Sequence, residues 1–157
     1  MFAFITVGTN NLPKSSNFYD EILKILDIIR VDQDEKYVGY AKEKTNNLAD
    51  FYIIKPFDKN DATIGNGTMI SFDAKTQKKV DEFYRKGLEL GAKNEGAPGP
   101  RHGENYYAYI RDLDGNKICA YTTSKTWFLD NKYHLSSMGK TSNPILNCGT
   151  ALLIILN

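Results

Sequence analysis

The chain of 157 residues has little of what several functional classes require. Cys119 and Cys148 are its only cysteines and show no metal-type spacing, so neither a disulfide framework nor a zinc module is on offer. Free thiols in a cytoplasmic protein are the expectation. Neither sign of charge dominates: 20 Lys and Arg face 19 Asp and Glu, a net charge of +1. The basic excess of a nucleic-acid binder is missing, and no nucleic-acid partner is expected. The longest apolar run, Ala151 to Leu156, falls far short of the roughly 20 residues that a membrane-spanning helix needs. The opening Met1-Phe2-Ala3-Phe4-Ile5-Thr6-Val7 has no basic n-region and no small-residue cleavage site, so no secretory leader is expected.

What is present is the composition of a globular domain, 41% hydrophobic and 25% charged. An internal repeat organises it. Phe18-Tyr19 followed by Leu23 recurs as Phe83-Tyr84 followed by Leu88, and the same offset lays Phe4-Ile5-Thr6-Val7 over Met69-Ile70-Ser71-Phe72. Each half therefore starts with a β-like run and continues into an amphipathic helix.

In the first half, residues 2–8 alternate and read as a strand. Asn11-Leu12-Pro13 supplies helix-start chemistry, because Asn accepts from free N–H groups and Pro tolerates the first turn. Phe18, Tyr19, Ile22, Leu23 and Leu26 then form one apolar stripe at helical spacing. Short strands are expected near 28–34, 37–42 and 50–55. The second half repeats the plan, with a strand at 67–73 and a helix from Thr76 to Leu90 closed by Gly91. Gly96-Ala97-Pro98-Gly99-Pro100 reads as a loop by its Gly and Pro content. Strands at 106–111 and 117–123 flank the turn Asp112-Leu113-Asp114-Gly115. The expected fold is α+β: two tandem βαβββ modules, about 1–58 and 65–124, form a cupped mixed sheet with helices on the outer face. Residues 125–157 fall outside the repeat. Their apolar end is compatible with a buried strand, a helix end, a strand lent to a neighbouring chain, or a poorly ordered appendage, the last being the reading adopted.

Two tandem βαβββ units resemble the vicinal-oxygen-chelate superfamily, which includes glyoxalases, bleomycin-resistance proteins and extradiol dioxygenases. The resemblance rests on Phe18-Tyr19-Asp20, Pro56-Phe57-Asp58, Gly65-Asn66-Gly67-Thr68, Gly96-Ala97-Pro98-Gly99 and, above all, the run from Asn105 to Ile118. Together these span roughly residues 1–123. Metal-bearing members hold a divalent ion through a His on the first strand of each module and a Glu on the last strand. The resemblance puts Phe4, Met69 and Cys119 at those positions, and the strand around Tyr52 to Ile54 brings no carboxylate. A phenyl ring, a thioether and one thiol are not a site for an ion that needs imidazole and carboxylate ligands. No metal and no cofactor is therefore expected.

Strand alternation assigns a different content to the cup. Phe4, Tyr52, Met69, Tyr107, Tyr109, Arg111, Cys119 and Tyr121 are expected to face it, with positions 4, 69 and 119 presented to a common hollow. An aromatic concavity with a few polar groups suits a small hydrophobic or aromatic molecule, and Arg111 is placed to meet an anion. Cys119 is expected to be a buried, inert thiol, and His102 with Glu104 an exposed pair. A homodimer is expected from the open sheet edges. Two other classes compete: a glyoxalase-like lyase, isomerase or dioxygenase with an atypical metal site, and a structural or interaction protein whose cup is filled by its own rings.

Overall fold

A computed structural model describes residues 2–43, 48–103 and 105–123. The elements run β1 (Ile5–Gly8), α1 (Leu12–Lys24), β2 (Ile29–Gln33), β3 (Tyr37–Ala41), β4 (Phe51–Ile54), β5 (Ile70–Asp73), α2 (Gln77–Glu89), β6 (Lys93–Pro100), β7 (Tyr106–Arg111) and β8 (Lys117–Thr122). Hydrogen bonding divides the strands into two mixed four-stranded sheets, ordered β1-β4-β3-β2 and β5-β8-β7-β6. In each, the first strand pairs parallel with the last and the remaining pairs are antiparallel. This is the expected α+β arrangement of two tandem βαβββ modules. The C-terminal extension 125–157, expected as a poorly ordered appendage, lies outside the described residues.

The helices start where local chemistry favours it. Asn11 accepts from Lys14 N at 3.1 Å and Thr76 from Lys79 N at 3.2 Å, satisfying N–H groups that a first turn leaves without partners. Gly91, at φ +98°, takes the left-handed conformation just beyond α2. The apolar stripe Phe18, Tyr19, Ile22 and Leu23 of α1, with Leu26 just beyond its end, is buried throughout. With Val80 and Phe83 of α2, it covers Val38, Tyr40, Phe51 and Ile53 of one sheet and Ala108, Ile110, Ile118 and Ala120 of the other. One continuous core thus serves both modules, and Phe51 meets Phe72 edge-on across their junction at 5.2 Å.

Gly96 to Pro100 is a correction. The segment is strand, the outer strand of its sheet, rather than loop. Proline lacks an N–H but is tolerated at an edge, where that group has no ladder partner to serve. Register shifts between Asn94 and Gly96 and between Gly96 and Gly99 absorb the irregularity. Two strands are shorter than expected at their starts: β1 begins at Ile5 and β5 at Ile70, leaving Phe4 and Met69 one residue ahead of them.

The run from Arg111 to Asn116 joins the modules. Tyr19 Oη donates to Asp112 Oδ2 at 2.6 Å, and Asp112 Oδ1 accepts from the N–H groups of Asp114 and Asn116 at 3.0 and 2.7 Å. Asp114 accepts from Asn10 N and Ser15 Oγ, both at 2.9 Å, and Asn116 Nδ2 donates to Gly8 O at 3.1 Å. Since Ser15 gives its proton to Asp114, the 2.7 Å contact between Thr9 and Ser15 has Thr9 as donor. The motif that carries the family resemblance is therefore a clasp from the second module onto the first. Among the described residues, no helix is long and apolar enough to cross a membrane.

Candidate ligand-binding face

Alternation puts one face of each sheet against the helices and leaves the other, among the described residues, without a covering helix. On the second sheet, Ala108, Ile110, Ile118 and Ala120 are buried beneath the helices, so Tyr107, Tyr109, Arg111, Cys119 and Tyr121 share the open face. Tyr107 and Tyr109 lie nearly parallel, 9° apart with centroids at 6.0 Å, and Tyr107 meets Tyr121 at 5.0 Å. Lys117 Nζ stands 5.3 Å from the Tyr109 ring centre. A Cβ on Gly96, the register partner of Tyr109, would come within 2.8 Å of that ring, so the missing side chain lets Tyr109 lie across β6.

The first sheet carries a separate cluster. Phe4 meets Tyr52 edge-on at 5.7 Å, and Tyr52 meets Tyr37 at 5.5 Å. Tyr52 crosses Gly39, where a Cβ would lie 2.7 Å from its ring, and its hydroxyl accepts from Ala49 N at 2.9 Å. The ring contacts thus join Phe4 to Tyr52 on the first sheet, and Tyr107 to Tyr109 and Tyr121 on the second. Phe4 and Met69 are 49% and 43% exposed at the strand entrances, whereas Cys119 is 0% exposed. A cleft of about 230 Å³ opens at the module junction between Ile5, Phe51, Ile70 and Phe72, with Lys42 and Asp73 also in its lining. None of the eight expected site residues lines it.

The electrostatics of the open face differ from expectation at Arg111. Its Nη2 donates to Glu95 Oε1 at 2.7 Å and its Nη1 to Gly115 O at 3.2 Å, so it is partnered within the protein. Lys117 lies 3.5 Å from the same carboxylate. The hydrogen bond from Arg111 holds Glu95 below the usual carboxylate range. Burial pushes the Cys119 thiol up, against weaker pulls from Ser71 and Lys117, which keeps it protonated near neutrality. His102 is exposed, with its ring 6.0 Å from Tyr107, while Glu104 and His134 lie outside the described residues. Lys78 is solvated, but Lys79 pairs with Asp27 of the first module.

The residues that the resemblance puts at the metal positions are poor ligands for a divalent ion. Phe4 has no donor, Met69 offers a thioether and Cys119 is a buried, protonated thiol. Among the described residues, no three His, Cys, Asp or Glu side chains gather as metal ligands. Reading from sequence overlooked Glu95, Arg101 and Lys117. Lys117 was within reach, because the alternation that places Cys119 also places the residue two before it. Glu95 and Arg101 gave no such signal, because Glu95 sits on, and Arg101 just after, a strand that composition disguises as a loop.

No protein-family model and no curated protein matches the chain. Among solved structures, it is similar to a glyoxalase/bleomycin resistance protein from Albidiferax ferrireducens T118, with 35% sequence identity, a TM-score of 0.70, and 78% of this chain and 98% of that one covered. It is also similar to a glyoxalase-related enzyme from Fulvimarina pelagi, at 16% identity and a TM-score of 0.62, covering 78% of this chain and 88% of that one. A lactoylglutathione lyase from Agrobacterium tumefaciens follows at 16% identity and a TM-score of 0.59, covering 81% and 96%. These last two likenesses concern the fold alone. Fold and likeness together define the class, a protein of the vicinal-oxygen-chelate superfamily. More narrowly, the chain belongs to the glyoxalase/bleomycin resistance protein family.

Proposed function

We propose that this protein is a metal-independent small-molecule binder of the family, holding a hydrophobic or aromatic ligand against the open face of its sheets. The observation that carries the reading is the row Tyr107, Tyr109 and Tyr121, three half-buried rings of which Tyr107 touches both others, on a face that no helix among the described residues covers. Ring-on-ring contacts contribute about 0.5–1.5 kcal/mol each beyond the area they bury. A platform held by strand backbone also loses little freedom when a ligand lands on it. Capture without chemical change is the function such a surface serves.

The reading extends to a cytoplasmic homodimer. It is supported by β1 and β5, each of which ends its sheet among the described residues and so offers unpaired backbone groups. Light scattering on the purified chain checks the assembly. The competing view, that the rings merely fill the cup, has one observation behind it: Cys119 is fully covered by its neighbours.

The test combines elemental analysis with binding. The full chain should contain no stoichiometric Ni, Zn, Fe or Mn, and aromatic compounds should raise its melting temperature and quench tyrosine emission. A near-stoichiometric divalent metal would overturn the metal-independent reading. A Tyr109→Leu chain that melts as the parent does and binds aromatics equally well would overturn the assignment of the face.

A further inference from the structure

Among the described residues, the open face of the second sheet carries an excess of positive charge, and one of its cations has no acidic partner. Arg101 follows β6, with Nη1 donating to Pro100 O at 2.9 Å and Nη2 to Ala97 O at 3.1 Å. A Cβ on Gly99 would lie 2.8 Å from Arg101 Nη1. Gly99 is the register partner of Tyr107, and directly opposed residues project from the same face of a sheet. The Arg101 guanidinium therefore occupies the space above Gly99, on the same face as the Tyr107 ring. His102 approaches Tyr107 from that end as well.

The remaining charges on the face do not neutralise it. Glu95 is shared between Arg111 and Lys117, one carboxylate between two cations. Lys93 stands opposite Arg111 in register. Asp73, opposite Tyr121, is answered by Lys75. Among the described residues, no carboxylate pairs with Arg101. Two of the five guanidinium N–H donors are engaged by carbonyls, which leaves three for an incoming acceptor.

We infer that the ligand class is a flat aromatic acid, its ring laid on Tyr107 and Tyr109 and its anionic group held by Arg101. The inference rests on the aromatic reading of this face and adds the charge. Arg111, the cation that strand alternation singles out for this role, is occupied by Glu95, whereas Arg101 is held in place by neutral carbonyls that leave its charge unanswered. A guanidinium positioned in this way offers a carboxylate charge-assisted hydrogen bonds without first breaking an ion pair.

The experiment titrates the full chain with three probes of one shape: 2-naphthoate, 2-naphthamide and 2-naphthylmethylammonium. The acid should bind about tenfold tighter than the amide, and the ammonium weakest, with the gap closing as salt rises towards about 0.5 M. Arg101→Gln should weaken the acid about tenfold and leave the amide unchanged. Glu95→Gln, which releases Arg111 and Lys117, should tighten the acid, and this opposite change protects the test against a misfolded Arg101 variant. Amide or ammonium binding as tight as that of the acid overturns the charge assignment while the aromatic reading stands. If none of the three binds, both fall.

Discussion

Tyr19 on the first helix donates to Asp112 in the β7–β8 turn across 2.6 Å, with both residues buried. Burial pushes the Asp112 carboxyl up, while bonds from Tyr19, Asn116 and Asp114 pull it back. Burial likewise raises Tyr19 well above its usual value, with Asp112 adding to the shift, so the phenol stays the donor. Tyr19→Phe should cost about 1–3 kcal/mol, since a buried acceptor loses its partner. The urea midpoint measures it.

That deficit should depend on pH. A carboxyl whose folded value is raised contributes stability at low pH that is lost as pH rises through that value. Removing the Tyr19 donor raises Asp112 further, so the Tyr19→Phe deficit should be larger at pH 7 than near pH 3. An equal deficit at both ends would mean that Tyr19 stabilises by packing alone.

Gly39 leaves the space that Tyr52 fills. Gly39→Ala would drive a Cβ to 2.7 Å from the ring and 2.8 Å from the buried Ala49 Cβ. Overpacking of this kind costs about 1–3 kcal/mol. Because Ala49 also resists, Tyr52→Leu should rescue only part of the loss, and a double-mutant cycle by thermal melt reads the coupling.

Cys119 should behave as a core atom. In a Cys148→Ser chain, a thiol reagent at pH 8 should modify Cys119 no faster than the protein opens, because the thiol is covered and its value is raised. Rapid labelling of the native chain would contradict that placement.

Glu95 should titrate below the ordinary carboxylate value of about 4.3. A depressed carboxylate contributes stability above its unfolded value, lost as pH falls through the folded one. The Arg111 pair should therefore persist through mild acid. Carbon-detected NMR of the Glu95 carboxyl follows the titration, and Arg111→Gln should return its midpoint towards the ordinary range.

Local patterning was legible wherever spacing alone decides the outcome. Phe18, Tyr19, Ile22, Leu23 and Leu26 read as a stripe because helix geometry requires it, and all five are buried. Tyr107, Tyr109 and Cys119 were assignable to one face because the strand period is two. Lys93 to Pro100 was illegible as a strand, since Gly and Pro signal a turn unless a neighbouring strand supplies bonds that sequence cannot show.

The sequence by itself determined the repeated strand–helix plan, its apolar faces and the aromatic content of the open side, because those follow from periods of a few residues. Only the tertiary structure decided that Glu95 would occupy Arg111, that Arg101 would stand over Gly99, and that Asp112 would clasp Tyr19. Each of these depends on register across bulges or on docking between modules. Such contacts are selected by the burial of a shared core, a property of the whole chain that no short window contains.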